Sequence, residues 1–234
     1  MQLTPDETSR AGAETMKPYI ESDPLGGHDP YSSSKGCAEI LTSGMRRSFF
    51  SDTPCLIASV CAGNVIGGGD WAVDRLIPDC IRAWTRGEPV RIRNPRAVRS
   101  WAHVLDPLSG CLRLAEALFA GRRALAKGWN FGPTLDAAWP VEKIAGAVTA
   151  RLPAFDFFVE PPKEHEANLL ILDSEQARRE LGWRPHWGIE TALEWYAAHR
   201  ESGALLTDRQ IREHMTERPV HCSRRDLTKQ GWIA

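Results

Sequence analysis

Residues 55–70 read CLIASVCAGNVIGGGD and carry the clearest indication of the fold. Its first half, residues 55–62, is a continuous apolar run of strand length, which is typical of a strand covered on both faces in a parallel sheet. The second half, residues 63–70, is rich in glycine and predicts a loop at the carboxyl end of that strand. Ligands of open α/β sheets bind outside the carboxyl ends of strands, so this loop is a candidate part of a functional site.

Helical and strand patterns alternate on both sides of this stretch. Turn formers at residues 23–30 precede a predicted helix over 31–49, whose apolar residues recur at helical spacing as Ala38, Leu41, Met45 and Phe49. Ser174 is a predicted helix cap, and Gly182 is predicted to end the same helix. Further helices are predicted near 74–84, 107–125, 141–150 and 189–200, a short one at 207–210, and strands at 90–93, 129–131 and 155–159. The alternation indicates an α/β fold.

The composition excludes several classes of protein. The chain has 234 residues, 42% apolar and 25% charged, which excludes a disordered tail, a collagen-like repeat and a coiled coil. The net charge is −1, so we expect no nucleic-acid or anionic-membrane partner. We expect neither a membrane span nor a secretory signal, because no apolar run is long enough. None of the six cysteines has zinc-finger or C-x-x-C spacing, which predicts reduced thiols, no metal and a cytoplasmic location.

Tyr31 and Lys35 are the first residues able to carry chemistry. They lie four apart on the predicted helix 31–49 and therefore share a face. An ammonium beside a phenol lowers the pKa of the phenol, which would make Tyr31 a useful general base. The same spacing also occurs by chance in ordinary amphipathic helices, so the spacing alone leaves both interpretations open.

Further motifs follow in a fixed order along the chain. They are DPLGGHDPYSSSKGCAE at 23–39, AGNVIGGGDW at 62–71, DRLIPD at 74–79, RIRNP at 91–95, RSWAHVL at 99–105, GWNFGP at 128–133, HEA at 165–167 and LGWRP at 181–185. Together they resemble the extended short-chain dehydrogenases, and most of all the CDP-glucose 4,6-dehydratases, over about residues 21–200. The resemblance implies a partial Rossmann-like parallel sheet with a smaller substrate-binding α/β domain.

The resemblance also implies a division of the chain. We expect a divergent N-terminal segment over residues 1–22 and the remainder of the NAD-binding Rossmann domain over 23–66. Residues 67–202 are expected to be mainly substrate-binding, with returns to the Rossmann sheet, and 203–234 to form a polar extension. The complete enzyme is expected to be a homodimer, paired through the helix 31–49.

The activity implied is the NAD-dependent dehydration of CDP-glucose to CDP-4-keto-6-deoxyglucose, in deoxysugar and polysaccharide biosynthesis such as that of the lipopolysaccharide O-antigen. Carbon 4 is oxidised, water is lost across carbons 5 and 6, and the hydride returns to carbon 6, so the bound NAD is regenerated. By resemblance, Tyr31 takes the proton of the hydroxyl on carbon 4. Lys35 stabilises the ionised Tyr31 and holds the nicotinamide ribose.

Substrate contacts are also implied by the resemblance, at Asn64, Arg75, Arg93, Arg99, His165 and Glu166. Arg75 and Arg99 would bind the diphosphate or the nucleotide, because the diphosphate needs positive charge and donors, and Arg93 would lie at the nucleotide-facing edge of the substrate domain. Simpler interpretations stay open: a turn residue for Asn64, solvated surface charge for the arginines, and a polar loop for His165 and Glu166. His103, Trp101 and Trp129 are predicted to serve packing.

Two features of the family are missing from the sequence. A dinucleotide-binding fold needs a Gly-rich turn at a helix N-terminus, and no G-x-x-G-x-x-G occurs; residues 67–69 belong to a later loop. The Thr and the Asp–Lys pair of the family are also absent, and residues 8–10 are only weakly similar to that motif. We therefore expect the carboxyl part of the enzyme, as a fragment, a truncated product or a misread start. Alternatives are another nucleotide-sugar epimerase or dehydratase, and a non-catalytic homologue that binds nucleotide sugar.

Overall fold

The computed structural model describes residues 2–3, 17–26, 29–67, 70, 72–152, 156–160 and 168–199. Its helices are α1 Pro30–Phe49, α2 Leu76–Arg86, α3 Leu105–Phe119, α4 Val141–Thr149, α5 Glu175–Leu181 and α6 Ile189–His199. Its strands are β1 Gln2–Leu3, β2 Ser59–Ala62, β3 Asn64–Ile66, β4 Val90–Ile92, β5 Val98–His103, β6 Gly128–Phe131, β7 Ala138–Pro140, β8 Phe157–Val159 and β9 Leu169–Leu170. The predicted helix at 207–210 lies outside the described residues. The α/β class is confirmed.

The first sheet is parallel and has the order β1-β2-β6. Its central strand β2 is shorter than the predicted run 55–62, because its partner β6 begins only at Gly128, opposite Ser59. Side chains alternate between the two faces of a strand. One face of β2 carries Ser59 and Cys61, which contact α1. The other carries Val60, which lies in a core cluster with Leu114 of α3.

The second sheet corrects the predicted loop at 63–70. Residues Asn64–Ile66 form strand β3, which pairs in parallel with β5 from Asn64 opposite Trp101 to Ile66 opposite His103. The prediction failed because the partner β5 was not recognised, and a three-residue strand has no periodicity of its own. Strands β7 and β9 also pair with β5, while β4 pairs with β8 in a separate two-stranded sheet.

Two helix boundaries differ from their predictions. Helix α3 ends at Phe119 rather than at 125, because Gly121 has a φ of 80°, and a 3-10 turn follows at Arg123–Leu125. Ser174 precedes α5 as predicted, but its hydroxyl accepts the N–H of Gly132 at 2.6 Å instead of capping the helix. The left-handed Gly182 at the end of α5 is confirmed, with a φ of 61°.

One apolar cluster packs against the second sheet and another against the first. One cluster joins α2, α4 and α6 around Trp101, and another joins α3 and β6 around Trp129, so the predicted packing roles of these tryptophans are confirmed. Cys80 and Cys111 are buried within these clusters, and burial raises the pKa of their thiols to about 12 and about 11. These two cysteines therefore act as small apolar side chains.

Candidate active site

The start of α1 is fixed by a cap. Asp29 accepts hydrogen bonds from the backbone N–H of Ser32 at 2.9 Å and from its hydroxyl at 2.5 Å. The hydroxyl first, and the N–H second, hold the pKa of Asp29 below its usual value. Pro30 occupies the first helical position, where its missing N–H has no cost. This cap places Tyr31 in the first turn of the helix, close to the solvent.

Tyr31 and Lys35 lie together, as predicted. The Nζ atom of Lys35 is 5.2 Å from the centroid of the Tyr31 ring. Tyr31 is 46% exposed, so its phenol can be reached from outside the chain. A phenol beside an ammonium can remove a proton from a bound hydroxyl group.

The two faces of α1 are unusual for a helix on a sheet. The buried residues are small or polar: Ser32, Gly36, Glu39 and Thr42. The apolar stripe identified in the sequence points outward instead, with Leu41, Met45 and Phe49 exposed by 66%, 40% and 65%. The inner face of α1 is therefore held by polar contacts.

Glu39 was missed as a site residue. Its Oε2 accepts a hydrogen bond from the Ser59 hydroxyl at 2.6 Å, and its Oε1 lies 3.8 Å from the donating Cys61 Sγ. The available signal was an acidic residue one helical turn after Lys35, on the same stripe. Asp106 was missed for a different reason, because it accepts the N–H groups of the distant His186 and Trp187. Burial raises the pKa of Asp106, while those two N–H groups act in the opposite direction.

The arginine candidates lie in two places. Arg75 precedes α2, and its neighbour Asp74 forms an ion pair with Arg93 at 3.4 Å, so Arg75 and Arg93 share one end of the α2–β4 unit. Arg93 follows β4 instead of lying on it as predicted, because that strand ends at Ile92. Asp74 has a φ of 61°, the left-handed conformation that few residues other than glycine adopt.

Asn64 and Arg99 lie on adjacent strands of the second sheet. Asn64 begins β3, so its predicted position in a loop is wrong. Asn64 pairs with Trp101 of β5, and Arg99 lies two residues before Trp101 on that strand. The Nη1 atom of Arg99 donates to the Val98 carbonyl at 3.1 Å. Both side chains are partly exposed and can reach a ligand. His165 and Glu166 lie outside the described residues.

Within the described ranges, no three His, Cys, Asp or Glu side chains are grouped so that they could hold a metal ion. No helix in the same part of the chain has the length and apolar character needed to cross a membrane.

Solved structures with the same fold include dehydratases and epimerases. A dTDP-glucose 4,6-dehydratase from Bacillus anthracis, solved in complex with NAD, aligns with a TM-score of 0.69 at 19% identity, over 89% of this chain and 62% of that one. A UDP-glucose 4-epimerase from Thermotoga maritima aligns with a TM-score of 0.68 at 20% identity, over 81% of this chain and 60% of that one. At these identities the likeness establishes a Rossmann-like fold.

Sequence relatives are more specific. A CDP-glucose 4,6-dehydratase of Salmonella typhimurium is 42% identical over 211 residues, 85% of this chain and 59% of the relative. A low-salt glycan biosynthesis protein of Haloferax volcanii is 30% identical over 177 residues, 75% of this chain and 54% of the relative. The chain thus spans less than two thirds of these relatives. The model of the NAD dependent epimerase/dehydratase family matches residues 7–126, about half of the sequence. The chain belongs to the NAD dependent epimerase/dehydratase family.

Proposed function

We propose that this chain carries the catalytic helix and the substrate-binding part of an NAD-dependent CDP-glucose 4,6-dehydratase. The observation that carries the proposal is the Tyr31–Lys35 pair on α1, in a chain 42% identical to an enzyme of that name. The fold alone does not separate dehydratases from epimerases, since both align with similar TM-scores. The sequence relative favours dehydration of a CDP-sugar. We place the enzyme in the cytoplasm and in the synthesis of deoxysugars such as those of an O-antigen.

The residues present fit one end of NAD. Lys35 and the exposed Tyr31 lie together beside the sheet, where they would hold the nicotinamide ribose. The sequence contains no G-x-x-G-x-x-G turn for the pyrophosphate. When bound, NAD supplies the hydride acceptor for carbon 4 and the hydride donor for carbon 6. We therefore propose that these 234 residues by themselves neither bind NAD tightly nor turn over substrate.

In the proposed mechanism Tyr31 is the base. Its phenolate oxygen takes the proton from the hydroxyl on carbon 4 as that carbon is oxidised. The ammonium of Lys35, 5.2 Å from the ring centroid, stabilises the ionised phenol. The exposure of Tyr31 supports this role, because the hydroxyl of a bound sugar has to reach the phenol.

We propose that the substrate contacts follow the arginine positions. Arg75 and Arg93, which share one end of the α2–β4 unit, suit the diphosphate because guanidinium groups bind phosphate oxygens in pairs. Arg99 and Asn64, on adjacent strands, suit the remainder of the nucleotide sugar. We also propose His165 and Glu166 as substrate contacts, on the basis of the sequence resemblance.

We also propose that a second copy of the chain pairs with the outer face of α1. Three apolar side chains on successive turns, Leu41, Met45 and Phe49, are exposed there by 40% or more. Exposed apolar stripes of this kind are characteristic of protein interfaces. The net charge of −1 gives no support for a nucleic-acid or anionic-membrane partner instead.

A chimera tests the activity. The part of the Salmonella typhimurium relative that lies outside the match is joined to this chain, and formation of the keto sugar from CDP-glucose is measured. We expect turnover in the chimera, and Tyr31→Phe should reduce kcat by about 10²–10⁴-fold while CDP-glucose still binds. Ser34→Ala is the control, since it removes a hydroxyl between Tyr31 and Lys35 in sequence that donates to the Tyr31 carbonyl at 2.6 Å. Equal kcat in the Tyr31→Phe and parent chimeras would remove Tyr31 from the mechanism.

A further inference from the structure

The inner face of α1 gives little apolar anchoring to the helix. Its buried side chains are those of Ser32, Glu39 and Thr42, together with the bare Gly36. Apolar side chains that interlock with a sheet usually fix the rotation of a helix about its own axis. With small and polar groups at the contact, that rotation depends on hydrogen bonds from α1 to the sheet.

Glu39 makes a short bond of this kind between α1 and β2. Its side chain is only 6% exposed, and its Oε2 accepts the hydroxyl of Ser59 at 2.6 Å. This distance is typical of an O–H donor and a charged carboxylate. The other oxygen, Oε1, faces the donating Cys61 Sγ at 3.8 Å. A buried carboxylate is costly unless it is hydrogen-bonded, so displacement of α1 from this position on β2 is unfavourable.

The same residue is connected to the Tyr31–Lys35 pair by the helix itself. Tyr31, Lys35 and Glu39 follow one another at intervals of four, so they lie along one stripe of α1. With a rise of about 1.5 Å per residue, Tyr31 lies about 12 Å along the axis from Glu39. A rotation or a slide of the helix at Glu39 is therefore transmitted to the phenol.

We infer that Glu39 is a positioning residue for Tyr31 and Lys35. Through its hydrogen bond with Ser59 it fixes the rotation of α1 about its own axis and the position of α1 along β2. The inference rests on the proposed function, in which Tyr31 is the base. It assigns Glu39 no contact with substrate or cofactor. Its effect is on where the phenol and the ammonium lie relative to the sheet.

The experiment follows Tyr31 directly. The sequence has three tyrosines, at 19, 31 and 196, so NMR of the full chain labelled with ¹³C at tyrosine Cζ gives three resonances. Tyr31→Phe identifies the resonance of Tyr31, and its position is recorded across the pH range. The same titration is made on Glu39→Ala, Glu39→Gln, Ser59→Ala and Thr42→Ala. Thr42 is the matched control, because it is buried on the same face of the helix.

We expect Glu39→Ala to shift the Tyr31 resonance, because loss of the bond to Ser59 lets the helix that carries the phenol move on the sheet. Glu39→Gln keeps an oxygen that accepts the Ser59 hydroxyl and should restore most of the parent titration. Ser59→Ala should reproduce the change seen in Glu39→Ala. Thr42→Ala should leave the Tyr31 resonance in place even where it lowers thermal stability.

Two results would overturn the inference: a Tyr31 resonance that is unchanged in Glu39→Ala or Ser59→Ala, or an equal change in Thr42→Ala. Ser59→Ala decides the matter if Glu39→Ala does not fold, since it removes one hydroxyl from the same hydrogen bond. A failure of the proposed function gives another pattern. In that case Tyr31 of the parent chain ionises as a free tyrosine, while the resonance still moves among the Glu39 variants.

Discussion

Helices α1 and α3 pack on opposite faces of the same parallel sheet and are held there by different kinds of interaction. On the α3 side, Cys111, Leu114 and Ala117 are buried against apolar side chains of the sheet. On the α1 side the buried positions are small or polar, and Glu39 bonds to Ser59 of β2. The helix with the proposed chemistry therefore depends on directional polar contacts, while its counterpart depends on burial of apolar surface.

The two kinds of contact contribute differently to the free energy of unfolding and to the position of each helix on the sheet. Apolar contacts are individually weak, non-directional and large in sum, so they set the free energy of unfolding. Hydrogen bonds add less net free energy but depend strongly on direction. We therefore expect substitutions in α3 to change stability most, and substitutions in α1 to change the position of Tyr31 with a smaller effect on stability.

The largest effect is expected at Leu114, which is fully buried in the α3 cluster. Leu114→Ala should reduce the free energy of unfolding by about 2–5 kcal/mol, because it removes buried methyl groups and leaves a cavity. Leu112→Ala, on the same helix but 47% exposed, is the control and should change it by about 0.5 kcal/mol or less. Urea unfolding followed by circular dichroism measures both, and equal losses would contradict an apolar anchor at α3.

Substitutions at two glycines test the same difference in packing between α1 and α3. A Cβ added at Gly110 of α3 would lie 2.7 Å from the ring of Phe131, whereas among the described residues nothing beyond the backbone of α1 itself lies within 4 Å of one added at Gly44. Gly110→Ala should therefore destabilise by about 1–3 kcal/mol through overpacking. Gly44→Ala should stabilise by about 0.5–1 kcal/mol, because alanine loses less backbone entropy in a helix. Melting temperatures that change in the same direction would show that α1 is packed as closely as α3.

The sequence predicted the existence of α1 but not its orientation. The spacing of Leu41, Met45 and Phe49 indicates a helix, and the helix is there. The same spacing does not say whether the stripe faces a sheet of this chain or lies on the surface, because periodicity carries no information about what covers it. Similarly, the apolar run at 55–62 predicted a strand, while the pairing of β3 with β5 depends on residues far apart in sequence.

The site was predicted unevenly for the same reason. Tyr31 and Lys35 are local neighbours on one helix, so their spacing placed them together correctly. The bond from Glu39 to Ser59 joins residues 20 positions apart, and the bond from Asp106 to the His186 N–H joins residues 80 positions apart. Local patterns do not encode such tertiary contacts.

The last effect concerns the cap of α1. Asp29 accepts the hydroxyl and the N–H of Ser32, and Asp29→Ala removes both bonds, so it should cost about 1 kcal/mol at pH 7. Asp29→Asn keeps an acceptor for the cap and should cost less. Asp52→Ala, in the exposed turn after α1, is the control for removal of one negative charge.

The cap also has a definite pH dependence. The Ser32 hydroxyl and N–H lower the pKa of Asp29 in the folded chain relative to its value of 3.8 in the unfolded chain. The unfolded state therefore binds the proton more readily, so the contribution of Asp29 to stability is present above pH 3.8 and is lost as the pH falls through the lower folded pKa. The difference in unfolding free energy between the parent and Asp29→Ala should accordingly shrink from pH 7 to pH 3, and that between the parent and Asp52→Ala should shrink less. Urea titrations at both pH values measure the two differences. A constant difference for Asp29→Ala would mean that the carboxylate charge does not contribute to the cap.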